Sequence, residues 1–273
     1  MKMKFSLLGL LIAALVICTG IRAEAAPVGT DWGSQKITVV GSGVPTPGMH
    51  GAQARLMARR AAQADAYRQL AEAVQGVQVD AETTVEMAMV MSDTVKLKVN
   101  SVIKGAKIVS ENVTSDGAYE VTMELPMFGA SGGLAETVLE RPTYVEPFPE
   151  PQTQRIETNI NISIHGGYTG LIIDCRGFRL NPVMSPVIKN ARGEKIYGHK
   201  NLDYDKVIEY GMASYADSMS QADRAGSNPL VIKAVQVDDF NSNPVVSMQD
   251  AELILSENQI SHFLENTSVV FLY

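Results

Sequence analysis

Cysteine is scarce in this 273-residue chain. There are two, and one of them, Cys18, lies in an apolar stretch at the N-terminus. Aromatic residues make up 6% of the chain, with a single Trp, which argues against a platform on which nucleic-acid bases stack. Cationic excess is missing as well. The formal charge is −7, so a phosphate backbone is not an expected partner. Beyond the N-terminal stretch no apolar run approaches the roughly 20 residues that a membrane-spanning helix needs. What remains is ordinary for a folded protein, 45% apolar and 19% charged, which excludes wholesale disorder and collagen-like structure.

The N-terminus reads as an export signal. Lys2 and Lys4 precede an apolar stretch from Phe5 to Cys18, and Ala23-Glu24-Ala25 then supplies the small-x-small pattern a signal peptidase accepts. Residues 1–25 are therefore predicted to be a signal peptide, cut between Ala25 and Ala26. The alternative is lipidation. Leu15-Val16-Ile17-Cys18 resembles a bacterial lipobox, with Cys18 as the lipid acceptor, although Ile17 stands where a small residue is usual. With residues 1–25 removed, Cys175 is the one thiol left, so an intramolecular disulfide is excluded and the fold must rest on its hydrophobic cores. Cys175 lies in the run Leu171-Ile172-Ile173-Asp174-Cys175 and reads as a buried small hydrophobe.

Proline marks the main boundary. Pro142, Pro147, Pro149 and Pro151 are interleaved with Glu146, Phe148 and Glu150, a composition expected of an extended, semi-rigid linker. The predicted organisation is a first domain over residues 32–141, a proline-rich linker over 142–158 and a second domain over 159–273.

In the first domain, Ile37 to Val40 reads as a strand stopped by Gly41-Ser42-Gly43. The alanine-rich stretch Ala52 to Gln75 reads as a long helix. Its expected inner face carries Leu56, Gln63, Tyr67, Leu70 and Val74, with Ala66 and Ala71 flanking. Asp65, Arg68, Gln69 and Glu72 fall opposite, and Arg68–Glu72 has the spacing of a helical ion pair. From Val77 to Met91 apolar and polar residues alternate, which predicts a strand burying Met87, Met89 and Met91. Val95, Val99, Val102 and Ile103 are helix-spaced, with Ser92 able to cap the start and Gly105 the end. Two strands follow, Ala106 to Val113 and Ala118 to Met127, joined at Asp116-Gly117. This order is α+β, an antiparallel sheet against one main helix.

The second domain reads as mixed α/β. Expected elements are strands over Asn159 to Ile164 and Thr169 to Arg176, then a hairpin around Asn190-Ala191-Arg192-Gly193. Asp203 to Met219 reads as partly helical and Pro229 to Val237 as a strand. A helix opens at Ser247 with Asp250 completing the cap, and Val269 to Tyr273 forms a last strand.

Three strings could carry chemistry. Gly129-Ala130-Ser131-Gly132-Gly133 matches the nucleophile-elbow spacing, after a strand and before the possible helix Leu134 to Glu140. His165, His199 and His262 lie downstream, but no parallel α/β repeat is legible around them, so a small-residue turn is expected. Met87, Met89 and Met91 could offer thioethers to Cu(I), though methionine at this spacing usually fills a core. Asp239-x-Asn241-x-Asn243 opens like a calcium loop with Asp250 at its twelfth position. Pro244 stands where the loop needs Gly and the final Glu is absent, so a polar turn is expected. No catalytic residue, cofactor or metal site is assigned.

Ala61-Ala62-Gln63-Ala64-Asp65-Ala66-Tyr67-Arg68-Gln69-Leu70-Ala71-Glu72 resembles the helix signature of the Lpp-twenty-like lipoprotein family. So do Gly76-Val77-Gln78-Val79, Gly105-Ala106-Lys107-Ile108-Val109 and Tyr119-Glu120-Val121-Thr122. The resemblance spans roughly Gly51 to Gly129. Related N-terminal domains occur in the flagellar assembly protein T and the flagellar protein P. The resemblance implies an SHS2-like (strand–helix–strand–strand) core in a non-catalytic module of a bacterial cell envelope, periplasmic or associated with the outer membrane. It further implies a structural or flagellar-assembly role, with envelope proteins or further copies of the chain as partners. The alternative is a periplasmic ligand- or metal-binding module, and a third reading is a serine hydrolase using Ser131. In the second domain, Gly170 to Gly177 and Asn228-Pro229-Leu230-Val231-Ile232 resemble a domain that accompanies this module in other secreted bacterial proteins.

Overall fold

A computed structural model describes residues 28–151 and 165–273. The signal peptide, Cys18, the Ala25–Ala26 junction and the strand expected over Asn159 to Ile164 lie outside the described residues.

The first domain contains β1 (Gly29–Asp31), β2 (Lys36–Gly43), α1 (Gly51–Gln75), α2 (Val85–Met91), α3 (Asp93–Lys104), β3 (Lys107–Val113), β4 (Tyr119–Pro126) and a single turn of helix, α4 (Ala135–Val138). Its sheet is antiparallel throughout, in the order β1-β2-β4-β3. The helix α1 lies across β2 and β4, the arrangement expected from the strand–helix–strand–strand order.

Two sequence expectations for this layer are corrected. Gly41 and Gly43 do not stop the strand, since β2 runs through both and pairs with β4 as far as Tyr119. A Cβ on Gly41 would lie 2.2 Å from the Ala66 nitrogen, and one on Gly43 would lie 2.2 Å from the Ala58 carbonyl oxygen. The glycines let a helix backbone rest on a strand backbone. For the same reason the buried face of α1 is the stripe Ala54, Ala58, Ala62, Ala66, Leu70 and Val74. Larger side chains would hold the layers apart, so Leu56 turns outward and is 58% exposed, and Tyr67 sits at the rim.

The third correction concerns Val77 to Met91. It forms a turn closed by Val79 N–H to Thr83 O (2.8 Å), followed by the helix α2. The Thr84 hydroxyl accepts from Met87 N–H at 3.2 Å and starts that helix. At Ser92 the chain turns a corner and starts α3, the Ser92 hydroxyl accepting from Val95 N–H at 3.3 Å. Val99 and Ile103 of α3 face the core.

The second domain contains β5 (Gly170–Asp174), β6 (Ile188–Asn190), β7 (Lys195–Tyr197), α5 (Tyr204–Tyr210), β8 (Ser214–Ala216), β9 (Pro229–Lys233), β10 (Gln236–Asp238), β11 (Asn243–Val246), α6 (Met248–Ser261) and β12 (Val269–Leu272). One sheet, β8-β12-β5-β9, is parallel, and its central strands β5 and β12 are almost wholly apolar and buried. The second sheet, β10-β11-β6-β7, is mixed. A parallel sheet is thus present downstream of Ser131, which the sequence did not reveal. The hairpin turn is held by Asn190, whose Oδ1 accepts from Arg192 and Glu194 N–H, and Ser247 caps α6 by accepting from Asp250 N–H at 3.0 Å.

The two domains share one hydrophobic core, running from Ile37, Leu70 and Met123 through Phe128 to Tyr197, Tyr215 and Phe271. Backbone bonds stitch the seam: Met184 N–H to Gln78 O, Ser185 N–H to Val79 O and Gly129 N–H to Ile208 O. The Gln35 amide donates to Ala213 O, and Trp32 packs edge-on against Tyr215, ring centroids 5.6 Å apart.

Candidate functional site: clefts and exposed faces

Among the described residues, open clefts include the following three. The first, about 570 Å³, opens at the domain seam between the turn at Gln78, Ala81 and Glu82 and the loop residues Asn181, Phe240 and Ser242. The second, about 460 Å³, lies between the proline-rich stretch from Val145 to Glu150 and the end of α6. That stretch does not stand free: Glu146 N–H donates to Lys200 O, the Asn201 amide donates to Glu146 O and Pro147 O, and Phe148 stacks on Tyr197. Proline keeps its backbone extended while the second domain supplies the hydrogen-bond partners. Glu265 reaches this cleft with one buried carboxylate oxygen that has no hydrogen-bond partner among the described residues.

The third cleft, about 370 Å³, is lined by Gln35, Glu209, Tyr210, Arg224, Asn266 and Thr267. Arg224 donates to Tyr210 O, Gly211 O, Thr267 O and the Thr267 hydroxyl. Its guanidinium therefore answers the carbonyl end of α5, where the helix dipole is negative, and burial pushes its pKa down.

The chemistry-bearing strings are placed as follows. Ser131 is exposed in the turn after β4, and among the described residues no hydrogen bond joins it to a histidine. The His199 ring meets Glu140 O at 2.7 Å, and His262 faces Glu265 at 3.6 Å. Met87, Met89 and Met91 sit on a helix, where a spacing of two fans them apart: Met89 packs against the core while Met87 and Met91 face outward. In the calcium-like loop, Asp239 is engaged by Lys189 at 2.6 Å and by the Asn243 amide at 2.6 Å, and Asp250 accepts from the Ser247 hydroxyl. Those donors are spent on protein partners. Among the described residues no group of three His, Cys, Asp or Glu side chains could hold a metal. Burial pushes the Cys175 thiol up to about 12, so it is held as the protonated thiol, not the nucleophilic thiolate, at neutral pH.

Reading the sequence missed two exposed faces. The edge strand β3 is solvent-exposed along nearly its whole length, with Ile108, Val109 and Val113 among its exposed residues. Its inner margin is pinned by Arg59, whose guanidinium grips Glu111 of β3 at 2.7 Å while the Tyr119 hydroxyl donates to the same carboxylate. The other face is on α2 and α3, where Met87, Val90, Met91 and Leu97 point to solvent. The spacing Met87, Val90, Met91 is helical, and Thr84 ahead of it is a cap. That was the signal a helix reading would have used.

Residues 33–126 match the model of the LPP20 lipoprotein family. Residues 170–273 match the model of the second domain of Treponema pallidum Tp0624. No curated protein matches the chain. The first match covers the sheet β2-β4-β3 together with α1, α2 and α3, so the first domain of this chain is similar to the LPP20 lipoprotein family.

Proposed function

We propose that the chain is a non-catalytic structural or assembly component of a bacterial cell envelope that docks partner proteins, or further copies of itself, along β3. The observation that carries this reading is the seven-residue edge strand, exposed on both faces, with β4 on one side and no strand beyond it among the described residues. An edge that carries apolar side chains and unpaired backbone groups is a template for an added strand. The envelope placement is supported by the LPP20 match. Among the described residues no helix is long and apolar enough to cross a membrane, so attachment to a bilayer falls to the N-terminus or to a surface contact. A place beside the flagellar basal body follows from family analogy alone.

The test is cross-linking in cells of origin. The unaltered chain should enter an assembly larger than a monomer, and Val109→Lys with Val113→Lys, which blunt the edge with charge, should release it. A chain that stays monomeric when cross-linked in cells overturns the reading. Mass spectrometry of the mature N-terminus separates a free protein starting at Ala26 from one carrying diacylglycerol on Cys18. Co-fractionation with purified basal bodies decides the flagellar assignment.

A second reading, a ligand-binding module, is favoured by the 460 Å³ cleft and the unpartnered Glu265 oxygen within it. A small molecule or metal that survives dialysis, seen by native mass spectrometry and lost in Glu265→Gln, would establish it.

A further inference from the structure

The corner at Ser92 carries the most prominent apolar side chains of the first domain. Val90 is 83% exposed, Met91 82% and Leu97 71%, with Met87 beside them on α2. Such a cluster is costly to leave in water, and nothing within the fold requires it, since α2 and α3 already bury Val85, Val99 and Ile103. Its surroundings are cationic. From Thr94 to Ser110 the chain has Lys96, Lys98, Lys104 and Lys107 and no Asp or Glu, in a protein whose formal charge is −7. All four lysines are exposed. None of the four has an ion-pair partner within 4.0 Å among the described residues, whereas Lys36 and Lys200 each have one and Lys189 has two. On the helical wheel of α3, Leu97, Ser101 and Lys104 share the outward face while Val99 and Ile103 point inward. Glu86 and Asp93 are the acidic residues on the two helices, so lysine outnumbers them.

We propose that the α2–α3 corner is a peripheral membrane-contact site, in which Val90, Met91 and Leu97 enter the headgroup–acyl boundary of an anionic phospholipid bilayer and Lys96, Lys98, Lys104 and Lys107 meet its phosphates. Exposed apolar side chains followed along the chain by exposed lysines fit this chemistry because lysine stems can follow apolar side chains inward while the ammonium groups stay at headgroup level. A protein partner would have to supply both a hydrophobic socket and a rim of acidic groups. A bilayer supplies both everywhere. The contact would set the orientation of the first domain on the membrane and leave β3 free for docking. It draws on the envelope placement for its setting, but its test needs only purified protein and vesicles.

That test uses the full chain with Cys18→Ser and Met91→Cys, labelled at residue 91 with an environment-sensitive fluorophore. Cys175 does not compete for the label, being buried with its thiol pKa raised to about 12. Phosphatidylglycerol-containing vesicles should shift the emission to the blue, and pure phosphatidylcholine vesicles should not. The affinity should fall steeply with added salt. Each lysine near the surface is worth about fivefold in binding, so Lys96→Gln with Lys98→Gln should weaken it about 25-fold while the circular dichroism spectrum stays unchanged. The proposal is overturned by a label that does not respond to anionic vesicles, or that responds equally to neutral ones. It is overturned too by a blue shift that grows with protein concentration in buffer, which would assign the corner to a second copy. Failure here would leave the cross-linking result on β3 untouched.

Discussion

The backbone N–H of Ser42 donates to the Asp65 carboxylate at 3.0 Å, and the Gln69 amide donates to Val40 O at 3.0 Å. β1 is three residues long and pairs with β2 only as far as Thr38. Beyond that point the outer edge of β2 has no strand partner among the described residues, and side chains from α1 bond to it instead. Donation from Ser42 N–H, and then from the Arg68 guanidinium, holds the Asp65 carboxyl below its ordinary value near 3.8. A carboxylate with its pKa lowered by folding stabilises the fold above its unfolded value and ceases to do so as pH falls through the folded one. Asp65→Asn should therefore be less stable than the unaltered chain at pH 6. The difference should close as the pH drops below about 4. Thermal unfolding of both proteins across this range checks it, and a gap that ignores pH would refute the role given to the charge.

The closest approach of α1 to the sheet is at Gly41 and Gly43. A methyl group on Gly41 must displace the α1 backbone at Ala66, because an ideal Cβ would sit 2.2 Å from its nitrogen and no flexible side chain can yield instead. Gly41→Ala should lower stability in urea by about 3 kcal/mol, at the upper end of overpacking costs. Gly48→Ala is the control for glycine replacement in general. Gly48 has open space where a Cβ would go, so its cost is only that of φ +83°, about 1 kcal/mol. Equal losses at the two positions would mean that the helix–sheet contact is looser than described.

The seam between the domains makes a prediction about cooperativity. Tyr215 is in contact with Trp32 from the first domain and Phe271 from the second, and its hydroxyl donates to Val183 O at 2.9 Å. With the core continuous across the seam, neither domain can open without exposing the other. The described body should unfold in a single transition, with tryptophan fluorescence and far-ultraviolet circular dichroism coinciding. Two separated transitions would show that the seam contributes little.

How far the sequence reveals this fold depends on the range over which each element is decided. The caps at Ser92 and Ser247, the turn at Asp116-Gly117, where Gly117 takes φ +86°, and the Arg68–Glu72 pair at 2.7 Å are local and were legible. Val77 to Met91 was misread because over so short a stretch Met87, Met89 and Met91 satisfy a strand period, while Met87, Val90 and Met91 satisfy a helical one. The Thr84 cap decides between them. Gly41 and Gly43 were misread because their reason lies on another element, the alanine stripe of α1. The parallel order β8-β12-β5-β9 joins segments far apart in sequence, so no local pattern contains it. The exposed faces were invisible for a different reason. An apolar residue such as Leu97 carries the same pattern whether its partner is the core or something outside the chain.

Glu257 makes the last prediction. Its side chain is wholly buried, yet among the described residues it pairs with no cation. Its two oxygens accept from the backbone nitrogens of His165 and Gly166 at 2.7 and 2.9 Å, so the carboxylate fastens the point where the described chain re-enters the second domain. Two charge-assisted bonds to main-chain donors in a buried site are worth more than neutral ones. Truncating the side chain also leaves both donors unsatisfied. Glu257→Ala should cost about 3 kcal/mol. Glu257→Gln should cost less, because its amide oxygen can still accept from one of the two nitrogens. Amide hydrogen exchange should locate the damage, with protection lost first at His165 and Gly166 while the amides of β12 remain protected. If Glu257→Ala left exchange at residues 165 and 166 unchanged, the anchoring of that segment would have to be assigned to other contacts, such as the Asn228 amide on Gly167 O at 3.1 Å.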